Sequence, residues 1–161
     1  MKTQRPPVER VHPPDALLRM INPLMRRLIA RGRFGDQLLL LHYVGRRSGR
    51  RFDVPAGYRV VNGVVSVLTN SGWRHNFAGG RDIEVTMHGR RRPGHAVLVN
   101  DPQEVTDVYL RLIDELGIKQ ARRRLGLRFN VARVPTRSEL QEAIQRSGLS
   151  IVRIHDQQPA R

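Results

Sequence analysis

The chain has 161 residues, no cysteine, 5% aromatic residues and a formal net charge of +15, nearly all of it from arginine. That length suits one domain with a sizeable core, and the missing cysteines exclude disulfides, thiolate metal ligands and a Cys nucleophile. The charge points to polyanions in general, whether nucleic acid, anionic lipid or a phosphorylated small molecule, without choosing among them.

Few aromatics argue against a single-strand binder built on stacked bases. No apolar run approaches the ~20 residues needed to cross a bilayer. No signal-peptide pattern opens the chain, so a cytoplasmic location is expected, with membrane association as a variant of it.

Residues 1–14 are basic and hold four prolines, which predicts a flexible arm. A single domain is expected over 15–155, followed by a polar tail over 156–161. Asp15 can cap a helix, and Asn22-Pro23 is expected to interrupt it, because proline lacks a donor and restricts the residue before it. The segment 15–31 carries an apolar stripe of Leu17, Leu18, Ile21, Leu24, Met25, Leu28 and Ile29 beside Arg19, Arg26, Arg27 and Arg31. It reads either as a helix packed on a barrel or as a basic amphipathic helix touching an anionic membrane.

Gln37–Val44 is a short apolar run, as in a buried strand. Phe52–Val61 and Val64–Thr69 are β-rich and separated by Asn62-Gly63, the signature of a type I′ hairpin turn. Asp82–His88 alternates, with Ile83, Val85 and Met87 on one face. Gly89–Gly94 is expected to turn the chain into a returning strand, His95–Val99. Asp101-Pro102 opens a helix that Gly117 ends, and a basic helical segment follows from Lys119 to Leu125. Thr136 and Glu139 form a capping box for a helix stopping at Gly148, and Leu149–Ile154 supplies a last strand. Short strands with hairpin turns predict an α+β fold, mainly β: a split antiparallel barrel of about six strands with flanking helices.

Two stretches could carry chemistry. In Gly45-Arg-Arg-Ser-Gly-Arg-Arg51, the glycines allow a sharp turn whose N–H groups face an anion, and the arginines can bind phosphate bidentately. The alternative is a solvated hairpin turn. In Asn70-Ser-Gly-Trp-Arg-His-Asn-Phe-Ala-Gly-Gly80, Trp73 could wall a planar ligand and Asn76 could hold its carbonyls. Alternatively, Trp73 and Phe77 plug one end of the barrel while Asn76 caps a turn. The six histidines lack metal-site spacing, so no metal is expected; His88 and His95 could face each other across a hairpin, without a third ligand. No paired carboxylates and no Gly-x-Ser-x-Gly elbow occur, which leaves the hard chemistry of any enzyme here to a cofactor.

In order and spacing, the apolar strand, G-R-R-S-G, Val54-Pro55, the Asn-Gly hairpin, G-W-R-H-N-F-A-G-G and a strand ending in H-G-R resemble the deazaflavin-dependent nitroreductase family, over roughly Leu38 to Val99. That resemblance implies a split β-barrel of the flavin-binding-like superfamily, coenzyme F420 as cofactor with FMN as runner-up, and a pairing of barrels into a homodimer. It implies that the turn Gly45, Arg46, Arg47, Ser48 and Gly49, with Arg51, binds the phosphate end. Val54 and Pro55 would lie against the deazaflavin ring, and Thr69, Asn70, Trp73, Arg74 and Asn76 would line the same pocket. The implied reaction is hydride transfer to a quinone- or nitro-type acceptor, with Tyr58 or Tyr43 as proton donor. The competing reading is a non-enzymatic basic barrel that binds an anionic membrane or, ranked lower, nucleic acid.

Overall fold

The computed structural model describes residues 5–11 and 15–157, the side chains of 15–22 excepted. In chain order the elements are β1 (Val8–Arg10), α1 (Asp15–Ala30), β2 (Leu38–Val44), β3 (Arg51–Gly57), β4 (Arg59–Val61) and β5 (Val64–Thr69). A 3₁₀ helix (Gly72–Phe77), β6 (Arg81–Met87), β7 (Arg90–Val99), α2 (Pro102–Arg124), β8 (Leu127–Phe129), α3 (Arg137–Ser147) and β9 (Ser150–Asp156) follow. These elements group into two compact units. One draws on Pro14–Val99 and Ile151–Arg161, the other on Met1–Pro13 and Asn100–Ser150.

The first unit is an α+β body built on a curled antiparallel sheet of seven strands in the order β3-β2-β6-β7-β9-β5-β4. Its two edges, β3 and β4, are separated in the chain by Tyr58 alone. One bent segment therefore supplies both edges, which obliges the sheet to curl toward a barrel. This is also why the single strand expected over Phe52–Val61 is two strands.

Side chains alternate across the sheet. Leu39, Leu41 and Tyr43 of β2, Ile83, Val85 and Met87 of β6, and Val152 and Ile154 of β9 share one core with Val67 and Phe77. Leu40 points the other way and is buried as well, as is Ile29, because α1 packs over β2, β3 and β6.

The Asn62-Gly63 turn forms as expected, with φ of 52° and 76° and Val61 facing Val64. The β6–β7 turn is tighter than expected. His88 and Gly89 alone make it, with φ of 49° and 74°, and Arg90–Val99 is one long strand. Pro93 is tolerated inside it because β9 reaches only as far as Gly94, so no ladder partner is lost on that side. His88 therefore sits in the turn and does not face His95.

The helix expected to break at Asn22-Pro23 runs through, with Pro23 inside it. Among the described side chains, Ile29 is fully buried, which fits tertiary packing overriding the local break. The side chains of Asp15, Leu17, Leu18 and Ile21 lie outside the described set. The helix closes with Gly32 N–H donating to Ile29 O and Arg33 N–H to Leu28 O, a Schellman arrangement.

In the second unit, the expected loose arm is partly a strand. Val8–Arg10 pairs antiparallel with Leu127–Phe129, and Val8 is fully buried. The other arm positions, 1–4 and 12–14, and the tail positions 158–161 lie outside the described residues. Asp101 caps α2 through Glu104 N–H at 3.1 Å, and Gly117 leaves the helical path (φ 73°, ψ 155°), dividing it where the sequence predicted. The Thr136/Glu139 capping box is complete.

Candidate functional site

The β2–β3 connection is a closed, hydrogen-bonded turn. Gly45 N–H donates to Arg50 O at 2.7 Å, Gly49 N–H donates to Gly45 O at 3.0 Å, and Ser48 Oγ accepts from Arg50 N–H at 3.2 Å. Gly45 is closely covered, since a Cβ would lie 2.6 Å from Ser48 Oγ and 2.7 Å from the Phe52 ring, so either side chain would have to move. The N–H groups of Arg47 and Ser48 have no partner among the described residues, and both side chains are exposed. Two adjacent unpaired N–H groups beside an exposed guanidinium are donors of the kind that suit an anion.

The second stretch folds over this turn. Asn76 Oδ1 accepts from Arg46 N–H at 2.8 Å while its Nδ2 donates to Trp73 O at 2.9 Å. Arg46 also donates from its guanidinium to Ala78 O at 2.7 Å. These bonds tie together two segments 30 residues apart. Between them lies a cavity of about 410 Å³, lined by Gly45, Arg46, Arg47, Ser48, Phe52, Gly72, His75 and Asn76. That is within the roughly 300–1,000 Å³ usual for small-molecule sites.

Behind it runs a chain of rings. Trp73 meets Phe77 edge-on at 6.0 Å, Phe77 meets Tyr43 edge-on at 5.1 Å, and Tyr43 stacks on Phe52 at 5.5 Å. Phe52 is shared with a smaller cavity of about 210 Å³ that also touches Tyr43, Arg51, His42, Asp53, Glu84 and Arg91. There the imidazole of His42 donates from Nδ1 to Asp53 at 2.5 Å, with Nε2 lying 2.7 Å from Thr86 Oγ1. Arg91 pairs with Glu84.

Of the residues expected at the site, Gly45, Arg46, Arg47, Ser48 and Asn76 share the larger cavity, and Gly49 completes its turn. Arg51 and Tyr43 reach the neighbouring one. Neither cavity is lined by Val54, Pro55, Thr69, Asn70, Trp73, Arg74 or Tyr58. Val54 packs on the core, and Pro55 sits opposite Leu40 in the ladder. Thr69 Oγ1 accepts from Ser71 N–H, and Arg74 holds the carbonyls of Asn70 and Ser71.

Tyr58 is buried, and its hydroxyl donates to Gly35 O. Burial raises the pKa of both Tyr43 and Tyr58, so each stays protonated at neutral pH; at Tyr58 the charge of Asp36 adds to the effect and Arg92 opposes it. Phe52, Gly72 and His75 are lining residues that the motif reading passed over. Phe52 and His75 lie within or beside the quoted motifs, and that adjacency was the available signal.

Three of the histidines, His42, His88 and His95, lie beside carboxylates. His95 bonds Asp82 at 2.6 Å and His88 lies 3.8 Å from Asp36. No cluster of metal-ligating side chains occurs among the described residues.

No protein-family model and no curated protein matches the chain. Among solved structures it is similar to the conserved hypothetical protein Rv2991 from Mycobacterium tuberculosis, with 14% identity and a TM-score of 0.44. The match covers 98% of this chain and 87% of that one.

Proposed function

We infer that the protein is a deazaflavin-dependent oxidoreductase that takes reduced F420 as hydride source for a quinone- or nitro-type acceptor, with FMN as the second candidate cofactor. The observation that carries this reading is the cavity between the Gly45–Arg51 turn and the Gly72–Asn76 segment, with its unpaired Arg47 and Ser48 N–H groups. The donor set fits the phosphate end of such a cofactor: two backbone N–H groups, the Arg47 guanidinium and the Ser48 hydroxyl can bind an oxyanion together. When bound, the cofactor supplies the hydride, and the protein's part is binding, orientation and charge.

Arg46 and Asn76 are assigned a positioning role, because their bonds to each other, to Trp73 O and to Ala78 O join the two segments. Phe52 would cover one face of whatever enters, backed by Tyr43. Tyr43 is the better proton donor of the two tyrosines, because Tyr58 is committed to Gly35.

The test is kinetic. F420H2 oxidation, followed by absorbance, should accelerate with enzyme in the presence of menadione or a nitroarene. Tyr43→Phe should lower kcat roughly a hundredfold, within the range for losing a general acid. No acceleration with any acceptor of either class contradicts the assignment.

A further inference from the structure

We propose that the end of the first unit formed by the C-terminal half of α1, the 31–37 turn and the β6–β7 hairpin is a docking surface for an anionic lipid bilayer. The proposal is independent of the cofactor reading.

Its centre is Phe34, a bulky residue held at φ 60° and 51% exposed. Left-handed backbone is unfavourable for such a side chain and persists only where the surroundings impose it. They do so here. Phe34 O accepts from both Gln37 N–H (2.9 Å) and Leu38 N–H (2.8 Å). The next residue, Gly35, is buried against His88, where a Cβ would lie 2.4 Å from Nδ1, and its carbonyl is held by Tyr58. The turn is thus fixed with the ring facing water.

The exposed positions of these segments include Leu24, Arg27, Arg31, Arg33 and Arg90, with Asp36 as their one carboxylate. Leu24 is 62% exposed. It shares a helix face with Arg27 and Arg31, since seven residues make nearly two turns, about 10 Å along the axis. Gly89 packs on Gly32, so close that a Cβ on Gly89 would lie 3.2 Å from Gly32 N. That contact brings Arg90 beside Arg31 and Arg33. All of these arginines are exposed, and none forms an ion pair among the described residues. Across 23–37 and 88–95 the only carboxylate is Asp36, which lies against His88.

Apolar side chains set among unpaired arginines match the headgroup boundary, where rings insert and guanidinium groups meet phosphate. A nucleic-acid surface would use the arginines and leave Leu24 and Phe34 without a role. No helix among the described residues is long and apolar enough to cross a bilayer, so the contact is peripheral.

The experiment is co-sedimentation of the full chain with vesicles of phosphatidylcholine alone and with phosphatidylserine added. Binding is expected only with phosphatidylserine. Phe34→Asn, which tolerates the left-handed backbone, should weaken binding roughly ten- to a hundredfold, as for losing a buried aromatic. Arg33→Gln and Arg90→Gln should each weaken it about fivefold. Leu24→Ser gives a second apolar variant, and circular dichroism checks that each is folded. Absence of binding to anionic vesicles, or equal binding by wild type, Phe34→Asn and Leu24→Ser, overturns the proposal. So does a duplex DNA affinity that falls in the arginine variants alone, which assigns the surface to nucleic acid. A dimer that dissociates in Phe34→Asn without vesicle binding assigns it to a second copy of the chain.

Discussion

Asn76 shows how one side chain can be spent on architecture inside a ligand site. Its carbonyl accepts from one segment and its amide donates within the other, so one bond at each end is already committed to the architecture. Glu139 shows the same principle in the second unit, where it can be tested by pH. Hydrogen bonds from Arg133 first, and from Thr136 N–H next, hold its carboxyl down to about 2 from the ordinary 4.5. A depressed carboxylate contributes stability that is present above the unfolded value and lost as pH falls toward the folded one. Thermal melts should therefore show a loss for wild type between about pH 4.5 and 2 that Glu139→Gln reduces. Gln keeps the capping-box bond but cannot titrate. Equal acid-side slopes for the two proteins would refute this.

At the scale of elements, the two β-turns with paired positive φ make a controlled comparison. At Gly63 (φ 76°) an added Cβ would meet nothing within 4 Å, whereas at Gly89 (φ 74°) it would meet Gly32 and Arg31 backbone at 3.2–3.4 Å. Alanine at 63 should cost about 1–2 kcal/mol, the left-handed penalty alone. Alanine at 89 should cost more, because backbone must move as well. Urea denaturation measures both, and an equal cost would mean the Gly32–Gly89 contact is not tightly held.

The hairpin at 62–63 was legible in the sequence because its turn needs two particular residues in a row. The turn at 88–89 was not, because histidine rarely accepts φ of 49° and the arginines beyond it resemble a loop. Pro23 misled for a related reason: local propensity argued for a break, while the packing that carries the helix through is tertiary. The capping box and the Gly117 break were readable because their bonds are local.

At the scale of the molecule, composition set a charge of +15 without a target. Part of it stands at a cavity rim, Arg46 and Arg47, and part at an exposed edge, Arg31, Arg33 and Arg90. The meeting of the GRRSG turn with the Trp73 segment was foreshadowed by motif order. That Val54, Thr69 and Trp73 stand outside the cavity was not legible, because strand facing depends on register and one residue reverses it.

Equilibrium fluorescence titration with F420, and separately with FMN, at moderate salt tests the central claim most directly. Saturable F420 binding is predicted, weakened at least tenfold in Arg47→Ala, about the loss of one charge-assisted phosphate contact. Asn76→Ala should weaken it too, by releasing the second wall of the cavity. Absence of saturable binding of either cofactor, or F420 affinity unchanged in Arg47→Ala, would contradict the claim.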